Sequence, residues 1–385
     1  MKRLLCLMLM GCQLLLTGCL QGAPLDSFCY VLDIGVERGE NLPYRFVFLL
    51  NRDAGEEEGR GNTTLVQAEE RSLFDAIEAL SGTLPAQLSF ERTTLMAFSR
   101  DLAEAGEIRA ITDGALGRLK IRHNIRVIVV ETDMEETFLG LISNDDPSLN
   151  RLKSNVKRYE RNYGFVEDWG LNRMLEAFKN ETGDALLPYC GKNDGLPRAD
   201  MAGGQAYPYL GGRLLGEGQL GSTLCGSAVF AQDRMVGLLS GQHTMLVLMA
   251  KGTFFQGHAQ IPFRGETVNV ALYALKKPRR RMEGNTFYCT LTLEADVEQP
   301  LQVDAPSGEL IEAIRTHLQG ELCRVFEATK AAGADVFCLG EEAIGSFQTT
   351  KAWEAYAFSS HLQQMEAAFD VNVKLSHAPK DPALE

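Results

Sequence analysis

The chain has little that would support catalysis, metal binding or cofactor binding. Its six histidines show no HxH or HExxH spacing, the patterns that bring imidazole ligands to zinc. The nucleophile elbow GxSxG is absent as well. The pattern GxGxxG occurs at 216–221, but a strand-like segment follows where a phosphate-binding loop needs a helix. We therefore expect no enzyme, no cofactor and no metal site, and we interpret 216–221 as a flexible turn.

An excess of positive charge is also lacking. The chain carries 38 Lys and Arg against 51 Asp and Glu, a formal net charge of −13. Binding to nucleic acid needs a basic face that neutralises phosphates, so we expect no nucleic-acid partner. The negative charge favours solubility and weak repulsion from an anionic membrane.

One dense basic run stands against this acidic background. It consists of Lys276, Lys277, Pro278, Arg279, Arg280 and Arg281. Two interpretations remain open. The five positive charges could bind anionic lipid headgroups or an acidic partner surface. The plainer interpretation, which we favour, is a solvated turn between a strand ending at Leu275 and another starting at Thr286.

Closely paired cysteines are missing. The sequence has nine cysteines and no CxxC. Six follow Cys19: Cys29, Cys190, Cys225, Cys289, Cys323 and Cys338. An even number in an exported protein permits disulfides. Most of the six, however, have apolar neighbours, where cysteine behaves as a small buried hydrophobe. We favour free thiols in the core.

After Cys19 the chain has no apolar run near the roughly 20 residues that a membrane-spanning helix needs. Before it, Lys2 and Arg3 precede the apolar run Leu4–Leu16, which is the build of a signal peptide. The stretch Leu15-Leu16-Thr17-Gly18-Cys19 resembles a bacterial lipobox. We expect cleavage after residue 18 and lipidation of Cys19, whose acyl chains would then be the only membrane anchor.

Hydrophobic patterning predicts more than one domain. Strand-like and helical segments alternate after Cys19, with a hairpin at Tyr30–Leu50, a helix starting at Leu73 and a helix at Ala103–Arg118, and residues 134–186 look helical. We therefore predict a signal peptide at 1–18 and an α/β domain at 19–190. A linker rich in Gly, Pro and Asp follows at 191–205.

The second half shows strands first and helices later, which predicts an α+β domain at 206–385. Ser307 begins a long helix whose apolar residues form one stripe ending near Gly333. A second helix is predicted at Trp353–Ala368, and a final strand follows. The fold class is thus mixed α/β and α+β, in a multidomain chain.

Several segments resemble the Ger(x)C family, the lipoprotein C subunits of spore-germination nutrient receptors. The most specific are Gly226–Phe230 and Asp233–Leu239, which are similar to that family's "G-x-A-V-F-x-x-D-K-L-V-G-x-L" hairpin. Gly333–Phe337 and the later Trp353 are similar to its C-terminal signature. In place of the Trp-Asp pair that family members usually carry after the cysteine, this chain has Leu20-Gln21-Gly22-Ala23.

The resemblance implies a body of unusual topology and no known enzymatic activity. It also implies partnership with a membrane-embedded A subunit and a transporter-like B subunit at the outer face of the spore inner membrane. Our first hypothesis is therefore a lipid-anchored, non-catalytic receptor subunit. The alternative is a solute-binding lipoprotein that captures a small nutrient for a transporter. That alternative would need two similar lobes joined by crossing strands.

Overall fold

A computed structural model describes most of the chain beyond Ser27. The described residues are 28–52, 62–114, 119, 121–122, 124–131, 133–135, 137–138, 151–180, 182–192, 199–203, 222–297 and 307–376. Cys19, the predicted signal peptide and the 216–221 motif lie outside them. The described part contains two β-sheets and helices of both domains, so the mixed, multidomain fold class is confirmed.

Within the described residues, nine strands form the first sheet, in the order β3-β2-β1-β5-β6-β7-β8-β9 with β4 beside β1. Their bounds are β1 Phe28–Arg38, β2 Tyr44–Arg52, β3 Asn62–Glu70, β4 Gln87–Ser89, β5 Leu95–Ser99, β6 Arg126–Val130, β7 Leu186–Lys192, β8 Ser222–Ala231 and β9 Arg234–Ser240. The predicted hairpin is confirmed as the antiparallel pair β1 and β2. Strands β1, β5, β6 and β7 are parallel, so their amino ends share one edge of the sheet.

Five helices accompany this sheet in the described residues: α1 Leu73–Ser81, α2 Arg100–Ala105, α3 Ile108–Thr112, α4 Arg151–Tyr163 and α5 Leu171–Ala177. The predicted start of α1 is confirmed, and the Ser72 hydroxyl accepts a hydrogen bond from Asp75 N at its first turn. The single helix predicted at Ala103–Arg118 is wrong. Gly106 adopts a left-handed conformation that ends α2 and separates it from α3.

The second sheet is built differently from the first. Within the described residues it has five strands in the order β10-β11-β13-β12, with β14 on β13. These are β10 Gln256–Phe263, β11 Glu266–Ala274, β12 Arg279–Glu283, β13 Thr286–Val297 and β14 Glu366–Leu375. All its pairings are antiparallel except that of β13 with β14. The two sheets are therefore not similar lobes.

Helix α7, Ser307–Ala331, packs on the second sheet as its apolar stripe predicts. Leu310, Ile314 and Leu318 are buried, followed by Leu322, Val325 and Phe326. The short helices α8 Leu339–Ile344, α9 Thr350–Tyr356 and α10 Phe358–His361 come next. The continuous helix predicted at Trp353–Ala368 is wrong, because Ala357 has a positive φ of 49° and β14 already begins at Glu366.

Helix α6, Gly241–Lys251, joins the two domains. It follows β9 directly, and every residue from Gly241 to Ala250 is buried. Its apolar side chains share one core with Leu239 of the first sheet, Leu291 of the second and Leu322 of α7. Strands β8 and β9 follow the linker predicted at 191–205, yet they pair with the first sheet. The first sheet therefore contains strands from before and after that linker.

Candidate functional site

A buried histidine links three separate parts of the chain. His243, on the first turn of α6, is 1% exposed. Its Nδ1 lies 2.7 Å from Asp200 Oδ2, and its Nε2 lies 3.1 Å from Glu321 Oε2 on α7. Asp200 also accepts hydrogen bonds from the backbone N–H groups of Ala202 and Ser240. The segment 199–203, the helix between the domains and α7 therefore meet at one imidazole.

The charges at this junction stabilise one another. Burial alone would lower the pKa of His243, but the hydrogen bonds to Asp200 and Glu321 raise it to about 9. Burial likewise opposes ionisation of both carboxyl groups, yet the His243 imidazolium holds their pKa values below the usual range. His243 is thus a buried cation between two carboxylates. A cation enclosed in this way holds together the three segments that surround it.

A second buried charge pair closes the other end of α6. Lys251 Nζ lies 2.7 Å from Glu167 Oε2, and both side chains are almost fully buried. Glu167 also accepts hydrogen bonds from the Trp169 indole and the Arg173 guanidinium. Burial alone would raise the pKa of Glu167, but Lys251 and Arg173 hold it below its usual value. The pair fixes the end of α6 against the segment that precedes α5.

A third connection joins the segment before β7 to the turn after α7. The Asp184 carboxylate accepts hydrogen bonds from Gln232 N and Asp335 N, each 2.7 Å long. Asp335 in turn accepts from Leu339 N and Gly340 N at the start of α8. Burial raises the pKa of Asp335 to about 7. These bonds cap α8 and bind it to the first sheet.

The basic run is divided by the structure. The Arg280 guanidinium points inward, where it donates to Phe337 O and Cys338 O at 2.9 Å and forms an ion pair with Glu342. Arg281 pairs with Glu283 and lies over the Tyr288 ring. Both belong to β12, so the arginines form a strand, where a solvated turn was predicted.

Apart from Arg280, the charged members of the run lie on the surface. Lys276, Lys277, Arg279 and Arg281 are exposed. A groove of about 500 Å³ lies beside the two lysines and is also lined by Phe255 and Leu293. A smaller cavity, about 280 Å³, lies between Tyr163, Gln242 and His258. Contact of the run with a lipid or partner remains a prediction, carried by these exposed residues.

Other groups named from the sequence have ordinary surroundings. Of the described cysteines, Cys289 and Cys338 are buried free thiols, Cys323 is a free thiol at the surface, and Cys29 and Cys190 are buried. In the part of the chain that the structure describes, no cluster of His, Cys, Asp and Glu could hold a metal ion. In the same part, no helix is both long and apolar enough to cross a membrane.

No sequence pattern predicts the contact between His243, Asp200 and Glu321. His243 lies 43 residues from Asp200 and 78 from Glu321, so no local motif joins them. The one available signal is that His243 lies two residues before the apolar stretch Met245–Ala250, which indicates burial. Burial of an ionisable group then requires partners, although it does not say which.

Together these features define the class of the protein. It has more than one domain, and buried charged groups hold its two unlike sheets together in one body. Two family models match the chain in order. "Spore germination protein N-terminal domain" matches residues 23–192, and "Spore germination B3/GerAC like, C-terminal" matches residues 225–378. The chain belongs to this Ger(x)C family of spore germination proteins.

One solved structure has a similar fold. The crystal structure of the GerBC protein aligns with a TM-score of 0.51 and 11% sequence identity, covering 89% of this chain and 96% of that one. At that identity the likeness concerns the fold alone. No curated protein matches the chain significantly.

Proposed function

We propose that this chain is the lipid-anchored C subunit of a spore germinant receptor, on the outer face of the spore inner membrane. The observation that carries the proposal is the pair of family models, which together match both domains in the family's order. The lipobox ending at Cys19 supports anchoring through lipid. By family resemblance, its partners are a membrane-embedded A subunit and a polytopic B subunit.

The role we propose is structural and non-catalytic. The strongest charged clusters, around His243, Lys251 and Asp335, are buried and bonded to the chain itself. Such groups stabilise a rigid body and leave little for reaction with a substrate. The solute-binding alternative finds no support in the two unlike sheets, because closure around a solute needs lobes that move about a hinge.

A deletion strain tests this function. Loss of the gene is expected to leave sporulation intact and to abolish or slow germination in response to one class of nutrient. The measurement is loss of optical density after nutrient addition, with a chemical germinant that bypasses nutrient receptors as the control. A complementing copy should restore the response. A normal nutrient response in a strain without redundant receptors would contradict the proposal, and loss of nutrient uptake in growing cells would favour the solute-binding alternative.

A further inference from the structure

Large apolar side chains are exposed beside Lys276 and Lys277. Phe255 is 57% exposed, Leu275 47% and Tyr273 39%, although residues of this kind usually pack inside. Lys276 and Lys277 follow Leu275 directly and are exposed as well. We call these five residues the apolar–basic patch.

Phe255, Lys276 and Lys277 share one surface, and Tyr273 and Leu275 adjoin it in sequence. Ala274 N donates a hydrogen bond of 2.9 Å to Phe255 O, so the turn that carries Phe255 lies against the end of β11. Phe255, Lys276 and Lys277 line the same groove of about 500 Å³. The Arg161 guanidinium lies 5.8 Å from the centre of the Phe255 ring and adds positive charge. Apolar and basic groups are thus mixed as they are on surfaces that enter a headgroup layer, and one acidic residue, Glu160, also lines the groove.

The topology places this patch at the amino edge of the first sheet. Trp169 O accepts a hydrogen bond from Val127 N at the start of β6. Glu167, two residues earlier, binds Lys251 at the end of α6. Gly252 comes next and lies against Pro278, with a distance of 2.8 Å from an ideal Cβ at Gly252 to the Pro278 ring. The basic turn therefore lies at the edge where the parallel strands begin.

The anchored end of the chain reaches the same edge. Strand β1 is parallel to β5 and begins at Phe28, so Phe28 also lies at the amino edge. Cys19 precedes Phe28 by nine residues. Nine residues span at most about 30 Å when fully extended. A lipid on Cys19 would therefore keep this edge, and not the opposite one, close to the bilayer.

We infer that the apolar–basic patch is a second contact with the bilayer and binds the surface of an anionic phospholipid membrane. A basic surface beside a lipid anchor adds electrostatic attraction to anionic lipids. The chain as a whole has a net charge of −13, so the remainder of its surface is repelled by the same membrane. The patch would therefore also fix the orientation of the body. The inference rests on the proposed function for the lipid at Cys19.

Vesicle binding without the lipid tests the patch separately. The chain from Leu20 to Glu385 keeps every described residue and lacks the acylated cysteine. We expect it to sediment with vesicles of phosphatidylglycerol and phosphatidylcholine at low salt, and weakly or not at all with phosphatidylcholine alone. Binding should fall as the salt concentration rises, because exposed charges are screened.

Two double variants separate the charged and apolar parts of the patch. K276E/K277E and F255S/L275S should each weaken binding to the anionic vesicles by tenfold or more. The matched control R71E/K351E makes the same change in net charge at exposed residues outside the patch, and should bind as the unmodified chain does. Arg71 lies at the opposite edge of the first sheet, after β3, whose Glu70 pairs with Tyr44.

Three outcomes would overturn the inference: no binding by the unmodified chain, equal binding by the patch variants, or equal loss in the control. Circular dichroism melting curves identify any variant that fails to fold, and K276E/K277E changes only exposed side chains. No receptor subunit takes part in this assay. Absence of vesicle binding would therefore not contradict the proposed function, which the deletion strain tests. A normal nutrient response in that strain would likewise not contradict vesicle binding by the patch.

Discussion

Gly183 and Cys338 touch across the junction between the domains. A Cβ atom built on Gly183 would lie 2.7 Å from Cys338 Sγ, closer than real side chains approach. The neighbouring residue Asp184 accepts a hydrogen bond from Asp335 N at the same contact. The segments around Gly183 and Cys338 can therefore approach this closely only because residue 183 has no side chain.

Gly183→Ala is expected to destabilise the protein by about 1–3 kcal/mol, the usual cost of overpacking a tight contact. Urea unfolding measures the change. Cys338→Ala removes the clashing sulfur atom, so the cost of Gly183→Ala should be smaller in that background. An equal cost with and without the sulfur would show that the contact does not govern the effect.

His243→Gln is expected to destabilise the protein by about 3–5 kcal/mol below pH 6.5, because Asp200 and Glu321 would lose their buried cation. The pKa of His243 in the folded protein is about 9, above the ordinary 6.5. Its stabilising contribution is therefore complete below pH 6.5 and is lost as the pH rises through about 9. Urea unfolding between pH 6 and pH 9.5 measures both effects.

The control for this prediction is His361→Gln, which removes a histidine from the end of α10. That variant should keep the pH dependence of the unmodified protein. The difference in unfolding free energy between the unmodified protein and His243→Gln should narrow as the pH rises. A constant difference over this range would contradict the assignment of His243 as the titrating group.

The Lys251–Glu167 pair should show strong coupling. Lys251→Met removes a positive charge beside the buried Glu167 carboxylate. We expect this change to lower the free energy of unfolding by about 3–5 kcal/mol. The double variant Lys251→Met/Glu167→Gln should cost less than the sum of the single changes. The exposed pair Arg264–Glu309 is the matched control, with a coupling below about 1 kcal/mol. Additive costs at the buried pair would contradict this picture.

Cys19→Ala is expected to release the protein from membranes, since the proposed anchor is the lipid on that residue. Membrane fractionation by ultracentrifugation measures the change, and mass spectrometry of the native N-terminus should show acylation. The nutrient response should weaken too, because an untethered subunit has a lower effective concentration near its membrane partners. An unmodified thiol at Cys19 in the native protein would remove the basis of this prediction.

Sequence patterns predict the elements with one clear periodicity. Helix α7 follows from its apolar stripe, and β1, β2 and β14 follow from alternation or apolar runs. The sequence pattern does not predict helix α6, because this helix is buried on every side. An enclosed helix has no polar face, so its residues show no period that separates it from a strand.

The site was harder to predict than the fold. The charges of the basic run are adjacent in sequence, which predicts one charged surface, yet Arg280 turns inward to the carbonyl groups of Phe337 and Cys338. Strand geometry explains the division, because successive side chains of β12 point to opposite faces. The partners of His243 come from distant segments, which only the folded chain brings together.

Helix α6 has a mechanical consequence. Its side chains fill a core shared with both sheets, and ion pairs hold its first turn and its last residue. Bending at α6 would separate buried charges and expose apolar surface. A hinge motion of one sheet relative to the other therefore has a high free-energy cost. A force that displaces one sheet should therefore move the other sheet with it, so that the protein tilts as one rigid body.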